Sequence, residues 1–289
     1  MHSLWKAILP ALFSTAWAAP TFVAEVGEPM NVLVLMPSLA YLRLEDGSMV
    51  LVGSYISETM IPTMEMIDRG YKLTFATPQG TKPPLDESAN SAMYFDNEAQ
   101  WERAKELWAS FPPLQTPLKL SDLAPEDPFA AANVTNPILS TFDGLFIPGG
   151  HAPMIDLWVS TSVGRILTFF VDQQRPIAAV CHAPLILAAA ALVRQPWDFK
   201  GKNITVFAKD EEIYWETNVA GGRKLGYYPE EVLAKLGANM IQQKQIFVSH
   251  VVVDGLLVTG QNPQSATALS SAFIELLSQP VKKAAVLAA

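Results

Sequence analysis

The chain has 289 residues, of which 50% are hydrophobic and 17% are charged, a composition typical of a globular protein with a sizeable core. Its net charge of −8 argues against nucleic acid and anionic membranes as partners. No apolar run reaches the roughly 18 to 20 residues needed to span a bilayer. The sequence therefore predicts neither a nucleic-acid-binding nor a membrane-spanning protein.

Residues 1–18 have the pattern of a signal peptide. A short segment that carries Lys6 precedes the mostly apolar run Ala7–Thr15, and Ala16-Trp17-Ala18 then forms an A-x-A cleavage pattern. The alternative is an apolar N-terminal helix that packs on the domain. The first interpretation predicts a secreted protein or one of the secretory pathway, and the second is compatible with a cytoplasmic protein.

The cysteine content separates this chain from small disulfide-bonded secreted proteins. Cys181 is its only cysteine, so the fold does not depend on an internal disulfide. Two N-x-T sequons, at Asn133 and Asn203, permit glycosylation in the secretory pathway.

Apolar strand patterns alternate with helical patterns from about residue 30 onward. Strands are predicted at Met30–Pro37, Lys72–Ala76, Thr141–Pro148, Pro176–Val180, Asn203–Phe207 and twice within Gln245–Gly260. Helices are predicted over Glu58–Ile67, Thr161–Gln174, Pro184–Val193, Pro229–Leu236 and Gln264–Leu277. This alternation predicts an α/β fold, a three-layer α/β/α sandwich around a mostly parallel, flavodoxin-like sheet. Residues 19–289 are predicted to form one domain.

The segment from about 81 to 137 interrupts the alternation. It contains several prolines and a short tryptophan-containing helix, and no strand-like run is visible. Because it has too few apolar residues for a core of its own, it is interpreted as a cap insertion over the sheet. Such insertions often wall a substrate pocket.

Cys181 lies between the predicted strand Pro176–Val180 and the predicted helix Pro184–Val193. A helix N-terminus at this point directs N–H groups and positive partial charge at the sulfur, which favours the thiolate. The arrangement resembles the strand–nucleophile–helix turn of hydrolases. The alternative is a structural role, because free cysteine is among the most buried residue types.

Further polar residues are expected near the same sheet edge, where open α/β sheets gather their sites. The turn Gly149-Gly150-His151 can direct backbone N–H groups at a substrate or an oxyanion. Glu58 lies on a mostly apolar helix, where an ionised carboxylate is seldom buried unpaired. Glu212 belongs to an acidic run that, from the residues alone, is typical of a solvated loop.

The order of several motifs resembles the PfpI-like superfamily, relatives of class I glutamine amidotransferases. The motifs are GSYISE, FIPGGHAP, AAVCHAP, KNITVFAKDEE and LVTGQNPQSA, and they extend from about Val32 to Ala272. Within the superfamily, the chain is most similar to the branch of heat-shock chaperones that are also glutathione-independent glyoxalases.

This resemblance implies a role for each site residue. Cys181 is the nucleophile and His182 its base partner, with Glu212 as the acid that orients the histidine. Glu58 is the carboxyl group held beside the sulfur. Gly150 and the backbone at His182 supply contacts to an oxyanion.

The chain departs from the family pattern at two positions. Ala152 replaces the glycine that usually follows GGH, which is expected to narrow the pocket or alter specificity. Met66 occupies a helix position where some bacterial members have a zinc-binding histidine, and the cap segment contains no histidine. Because the four histidines are also scattered along the chain, the sequence predicts no metal site and no cofactor.

The resulting hypothesis is an enzyme that converts methylglyoxal or a related 2-oxoaldehyde into a 2-hydroxy acid, D-lactate in the case of methylglyoxal. The thiolate of Cys181 is expected to add to the aldehyde, and His182 or Glu58 then moves a proton from C1 to C2. The alternatives are a cysteine-dependent hydrolase, amidase or hydratase of a small metabolite, and a holdase-type chaperone. The expected partners are a small carbonyl substrate and, in a homodimer, a second copy of the chain.

Overall fold

The structure, a computed structural model, describes residues 29–279. Its strands are β1 (Asn31–Leu35), β2 (Tyr41–Arg43), β3 (Met49–Leu51), β4 (Lys72–Thr77), β5 (Leu118–Lys119), β6 (Gly144–Ile147), β7 (Ile177–Val180), β8 (Asn203–Ile204), β9 (Asn239–Met240), β10 (Val251–Asp254) and β11 (Leu257–Gly260). Its α-helices are α1 (Ile56–Asp68), α2 (Glu98–Ser110), α3 (Pro112–Gln115), α4 (Leu120–Leu123), α5 (Pro153–Asp156), α6 (Thr161–Asp172), α7 (Lys209–Asn218), α8 (Pro229–Leu236) and α9 (Ala266–Ser278). The 3₁₀ helices cover Glu87–Ala89, Ala92–Tyr94, Pro137–Thr141, Ala183–Leu192 and Pro263–Ser265.

A seven-stranded sheet in the order β10-β11-β7-β6-β1-β4-β5 forms the centre of the fold. All neighbouring strands are parallel except the hairpin β10–β11. Strands β6 and β7 are buried along their whole length, as expected for a parallel sheet that is covered on both faces. The predicted α/β fold with a mostly parallel sheet is confirmed.

Helices cover both faces of the sheet, and the alternation of side chains along β1 shows how. Leu33 and Leu35 belong to one core cluster, together with residues of α6 and of the 3₁₀ helix Ala183–Leu192. Val32 and Val34 belong to a second cluster, together with residues of α1, α2 and α9. Successive side chains of a strand point to opposite faces, so the molecule has the predicted three layers.

The helix after Cys181 is tighter than predicted. Residues Ala183–Leu192 form a 3₁₀ helix rather than an α-helix, although alanine and leucine favour the α-helix. The segment packs closely against α6, where a Cβ on Gly164 would lie only 2.4 Å from the carbonyl oxygen of Ala189. Tertiary packing therefore overrides the local preference.

The segment between β4 and β6 is more closely integrated than the predicted cap. It does contain a strand, β5, which pairs with β4 at the sheet edge, so the expectation of no strand is wrong. Two residues are too short a run to give a recognisable pattern. Trp108 and Leu114 of this segment belong to the second core cluster, while its Trp-containing helix is present as predicted.

Two further strand assignments differ from the sequence prediction. Of the predicted strand Asn203–Phe207, only β8 forms, and it pairs with β9 outside the central sheet. The hairpin of β2 and β3 was not predicted, because its short strands carry few buried residues.

The predicted signal peptide, residues 1–18, lies outside the described residues. Within residues 29–279, no helix is both long and apolar enough to cross a bilayer. The sequon asparagines Asn133 and Asn203 are both exposed, and their glycosylation remains a prediction.

Candidate active site

Cys181 occupies the sharp turn at the end of β7. Its φ angle is +63°, a left-handed conformation that is uncommon outside glycine and often found at functional sites. The turn is held by two backbone hydrogen bonds: the N–H of Cys181 donates to Gly260 (2.8 Å), and its carbonyl accepts from the N–H of Phe207 (2.7 Å). The sulfur is thus presented at the carboxyl edge of the sheet, where the sequence placed it.

The imidazole of His182 connects the sulfur to a carboxylate. Its Nδ1 lies 3.1 Å from Sγ of Cys181, and its Nε2 lies 2.9 Å from Oε1 of Glu212. The second contact is short but falls outside hydrogen-bond geometry. All three side chains are buried, so the structure brings together the cysteine, histidine and glutamate that the family resemblance implied.

Glu212 reaches this position from the first turn of α7. The acidic run Asp210-Glu211-Glu212 begins a helix, where negative charge is favourable, and both glutamates are fully buried. The solvated loop expected from the residues alone is therefore wrong. The carboxylates are buried because each faces polar groups that come from distant parts of the chain.

His151 approaches the second oxygen of the same carboxylate, with Nε2 3.3 Å from Oε2 of Glu212. Its ring also lies in a column of four aromatic rings, Trp215, His151, His182 and Phe207, whose successive centroids are 4.4, 3.9 and 4.5 Å apart. The column holds both imidazole rings in position. Sequence reasoning missed Phe207 and Trp215, since an aromatic residue near an acidic run gives no specific signal.

The charges of this group follow from burial and from the two histidines. Burial, assisted by His151, lowers the pKa of His182 to about 4 against the opposing effect of Glu212. Burial alone would raise the pKa of Glu212, but the two histidines outweigh it and lower the pKa to about 2. At neutral pH, His182 is therefore neutral and can accept a proton, while Glu212 is ionised and can stabilise the imidazolium that forms.

Glu58 lies beside the sulfur in the first turn of α1. Burial raises the pKa of this carboxyl group to about 8, against the opposing effects of the Cys181 thiol and the N–H of Gly150. Neither of its oxygens makes a hydrogen bond of standard geometry with the described residues. With a pKa of about 8, Glu58 is protonated at neutral pH.

Two glycines allow this close approach. A Cβ on Gly149 would lie 2.4 Å from Oε2 of Glu58 and 2.6 Å from Cβ of Cys181. Gly150 has φ +95°, and a Cβ there would lie 2.2 Å from the carbonyl oxygen of Gly53. Its N–H is directed at the site, where it acts on both Glu58 and Cys181.

The protonation state predicted for Cys181 is wrong. Burial and the carboxyl group of Glu58 raise the pKa of the thiol well above its ordinary value, and the N–H of Gly150 only partly opposes this rise. The sequence argument considered the helix N-terminus but not the cost of removing the sulfur from water. In the resting protein, the side chain of Cys181 is therefore a thiol, with Nδ1 of His182 3.1 Å from its sulfur.

The positions of His151 and His182 also bear on the prediction of no metal site. His151, His182 and Glu212 place ligand atoms within 4.8 Å of one another, a set that could hold a metal ion. The sequence-based statement that the histidines do not cluster is thus wrong for these two. Met66, which the family resemblance placed at a helix position associated with zinc, is buried in the core and offers no imidazole.

Ala152, the position at which the chain departs from the family pattern, lies directly after His151. It is fully buried in a cluster with Leu185 and Trp215, and it supports the back of the histidine column. An alanine here is accommodated by core packing.

The fold and the site define a class of protein: an open α/β sheet that carries a buried cysteine, histidine and glutamate at its carboxyl edge. The model of the DJ-1/PfpI family matches residues 50–276. The chain belongs to this family, as the sequence motifs predicted.

Individual relatives agree with this assignment. The protein/nucleic acid deglycase HchA of Pseudomonas aeruginosa (strain UCBPP-PA14) is 28% identical over 265 residues, which cover 85% of this chain and 81% of the relative. The glutathione-independent glyoxalase hsp3102 of Schizosaccharomyces pombe is 27% identical, with 78% and 89% covered. The crystal structure of glyoxalase III from Candida albicans aligns with a TM-score of 0.65 at 25% identity, with 86% and 97% covered.

Proposed function

We propose that this protein is a glyoxalase-type enzyme that acts without glutathione and converts a 2-oxoaldehyde into a 2-hydroxy acid through a hemithioacetal on Cys181. The observation that carries the proposal is the 3.1 Å contact between Sγ of Cys181 and Nδ1 of His182, next to the buried, protonated Glu58. This arrangement combines a nucleophile, a base and an acid in one enclosed space. Two relatives are named as glyoxalases of this kind.

In the first step, His182 takes the thiol proton while the sulfur adds to the aldehyde carbon C1. Glu212 stabilises the imidazolium, and the N–H of Gly150 is available to the developing oxyanion. The imidazolium then gives its proton to this oxygen. The product is a hemithioacetal, and His182 is neutral again.

In the second step, hydrogen moves from C1 to C2. Neutral His182 removes the proton from C1, while Glu58 donates its proton to the C2 oxygen, which gives an enediol. The imidazolium then protonates C2, and the C1 hydroxyl returns a proton to Glu58. The result is a thioester in which C1 has been oxidised and C2 reduced, so no external oxidant or reductant is required.

Hydrolysis completes the cycle. Water attacks the thioester at C1, the thiol of Cys181 is released, and the 2-hydroxy acid leaves. A pKa near 8 suits Glu58 for exchanging protons at neutral pH, because a general acid works best near the operating pH.

The enclosure of the sulfur favours a free small aldehyde over a glycated side chain of a macromolecule. Cys181 is only 1% exposed, and the ring of His182 lies against its sulfur. A small carbonyl compound can enter such a space more readily than a modified protein surface.

The test is to incubate the purified protein with methylglyoxal, without glutathione, and to measure D- and L-lactate separately. We expect D-lactate from the wild-type protein and none above background from Cys181→Ser. Full activity of Cys181→Ser, or a requirement for glutathione, would refute the proposal. Suppression of protein aggregation that persists in Cys181→Ser, with no lactate formed by the wild type, would favour a chaperone.

A further inference from the structure

An aromatic pocket adjoins the cysteine site. It has a volume of about 120 Å³. Its lining residues are Tyr55, Tyr94, Phe207, Tyr214, Trp215, Val219, Phe247, Pro263 and Gln264. Most of these residues are aromatic, and none of the described lining residues carries a charge.

The pocket shares its walls with the catalytic group. Phe207 stacks on the ring of His182, and its N–H donates to the carbonyl of Cys181. Trp215 packs on His151, while Tyr55 directly precedes α1, the helix that carries Glu58. A molecule in this pocket therefore contacts two of the rings that pack on the histidines of the cysteine site.

One wall is held in place by a buried carboxylate. Glu211 accepts hydrogen bonds from the N–H of Phe247 (2.8 Å) and from the side-chain amides of Asn262 (2.8 Å) and Gln261 (3.2 Å). Phe247 has a left-handed φ of +57°, and its ring meets that of Tyr214 edge-on at 5.0 Å. These contacts fix the position of this pocket wall within the fold.

The chemistry of the pocket disfavours anionic substituents. The charge of Asp86, added to burial, raises the pKa of Tyr55, so negative potential reaches the pocket wall. No lysine or arginine among the described lining residues is available to bind a carboxylate or phosphate. The pocket volume of about 120 Å³ is of the same order as the roughly 150 Å³ of an apolar cavity that binds benzene.

We infer that the substrate is an aryl 2-oxoaldehyde, or one with an apolar group of similar size, whose ring occupies the aromatic pocket while its aldehyde carbon meets Cys181. This inference rests on the proposed function and narrows its substrate class. Methylglyoxal would use the same chemistry but leave the pocket unfilled. Buried apolar contact and aromatic stacking then contribute to the preference for the aryl compound.

The experiment compares kcat/KM for phenylglyoxal and methylglyoxal in the full-length protein. We expect phenylglyoxal to be preferred by about tenfold or more, since even one methylene group in an apolar pocket can change specificity by about tenfold. Tyr214→Ala and Phe247→Leu should each reduce this preference by about three- to tenfold, because each removes a stacking contact. Tyr41→Ala, which changes an exposed tyrosine on β2, is the control and should leave the preference unchanged.

A binding measurement separates this inference from the proposed function. Acetophenone carries the aryl ketone without the aldehyde, so it should bind, with quenching of tryptophan fluorescence, whereas acetone should not. Tyr214→Ala should weaken acetophenone binding by a similar factor. Turnover of both aldehydes with equal kcat/KM would overturn the inference and leave the proposed function intact. Absence of turnover together with specific acetophenone binding would overturn the proposed function and the substrate assignment that rests on it, and would leave only an aryl-binding pocket. Turnover of the aldehydes without acetophenone binding would overturn the inference alone.

Discussion

The Glu58→Gln variant tests the protonation of the carboxyl group beside the sulfur through its effect on stability. The pKa of Glu58 rises from its ordinary 4.5 to about 8 in the folded protein, chiefly because of burial. At low pH both the folded and the unfolded states hold the proton. Between pH 4.5 and about 8, the unfolded chain releases the proton while the folded protein retains it, so the wild-type protein should lose stability as the pH rises.

The size of this effect follows from the shift in pKa. One pKa unit corresponds to about 1.4 kcal/mol. At pH 7, about 2.5 units above the unfolded pKa, the wild-type protein should have lost about 3 kcal/mol of unfolding free energy through Glu58. Glu58→Gln has nearly the same shape and no proton to lose. Its stability relative to the wild type should therefore increase by about 3 kcal/mol between pH 4.5 and 7.

The assay is urea denaturation of both proteins, followed by circular dichroism, at several pH values in this range. Subtraction of the two free energies removes the titration of all other groups, which the proteins share. Glu65→Gln, which removes a partly exposed carboxyl group from the same helix, controls for the change in charge. A difference between wild type and Glu58→Gln that stays constant with pH would show that Glu58 is ionised in the folded protein, and would refute the reasoning.

The other predictions concern the catalytic group and its glycine turn. Measured against pH, kcat/KM should fall below about pH 4, where His182 becomes protonated. It should also fall above about pH 8, where Glu58 loses the proton that it donates. A flat profile through pH 8 would contradict the role of Glu58. Glu212→Gln should lower kcat by about 10²- to 10⁴-fold, and an unchanged kcat would remove Glu212 from the mechanism. Gly150→Ala should cost more than about 3 kcal/mol of unfolding free energy, because its Cβ meets backbone. Gly221→Ala, with φ +68° and open space around it, should cost only about 1 kcal/mol, and equal losses in urea denaturation would refute the steric argument.

Local pattern was sufficient to predict the central strands and the cysteine turn. Strands such as β1 and β7 are short apolar runs, and their burial on both faces is visible in the residues themselves. The glycine pair at 149–150 likewise identifies a turn with close backbone approach. The family motifs then predicted that Cys181, His182 and Glu212 belong to one site, and the structure places them in contact.

Tertiary structure alone decided the environment of the acidic residues. An acidic run is normally solvated, and the burial of Glu212 depends on His182, which lies 30 positions earlier in the chain, and on His151, 61 positions earlier. Glu211 similarly depends on Asn262, 51 positions later. No local pattern encodes such partners, because they meet only when the carboxyl ends of different strands are aligned.

The protonation of the Cys181 sulfur was likewise decided by the tertiary structure. From the sequence, the helix N-terminus after Cys181 favours a thiolate. In the folded protein, Cys181 is enclosed beside Glu58, and both features raise the pKa of the thiol. The local turn determines where the sulfur is placed. The charge of the sulfur depends instead on how completely the surrounding layers exclude water. Desolvation acts through the whole packed environment rather than through neighbours in the chain.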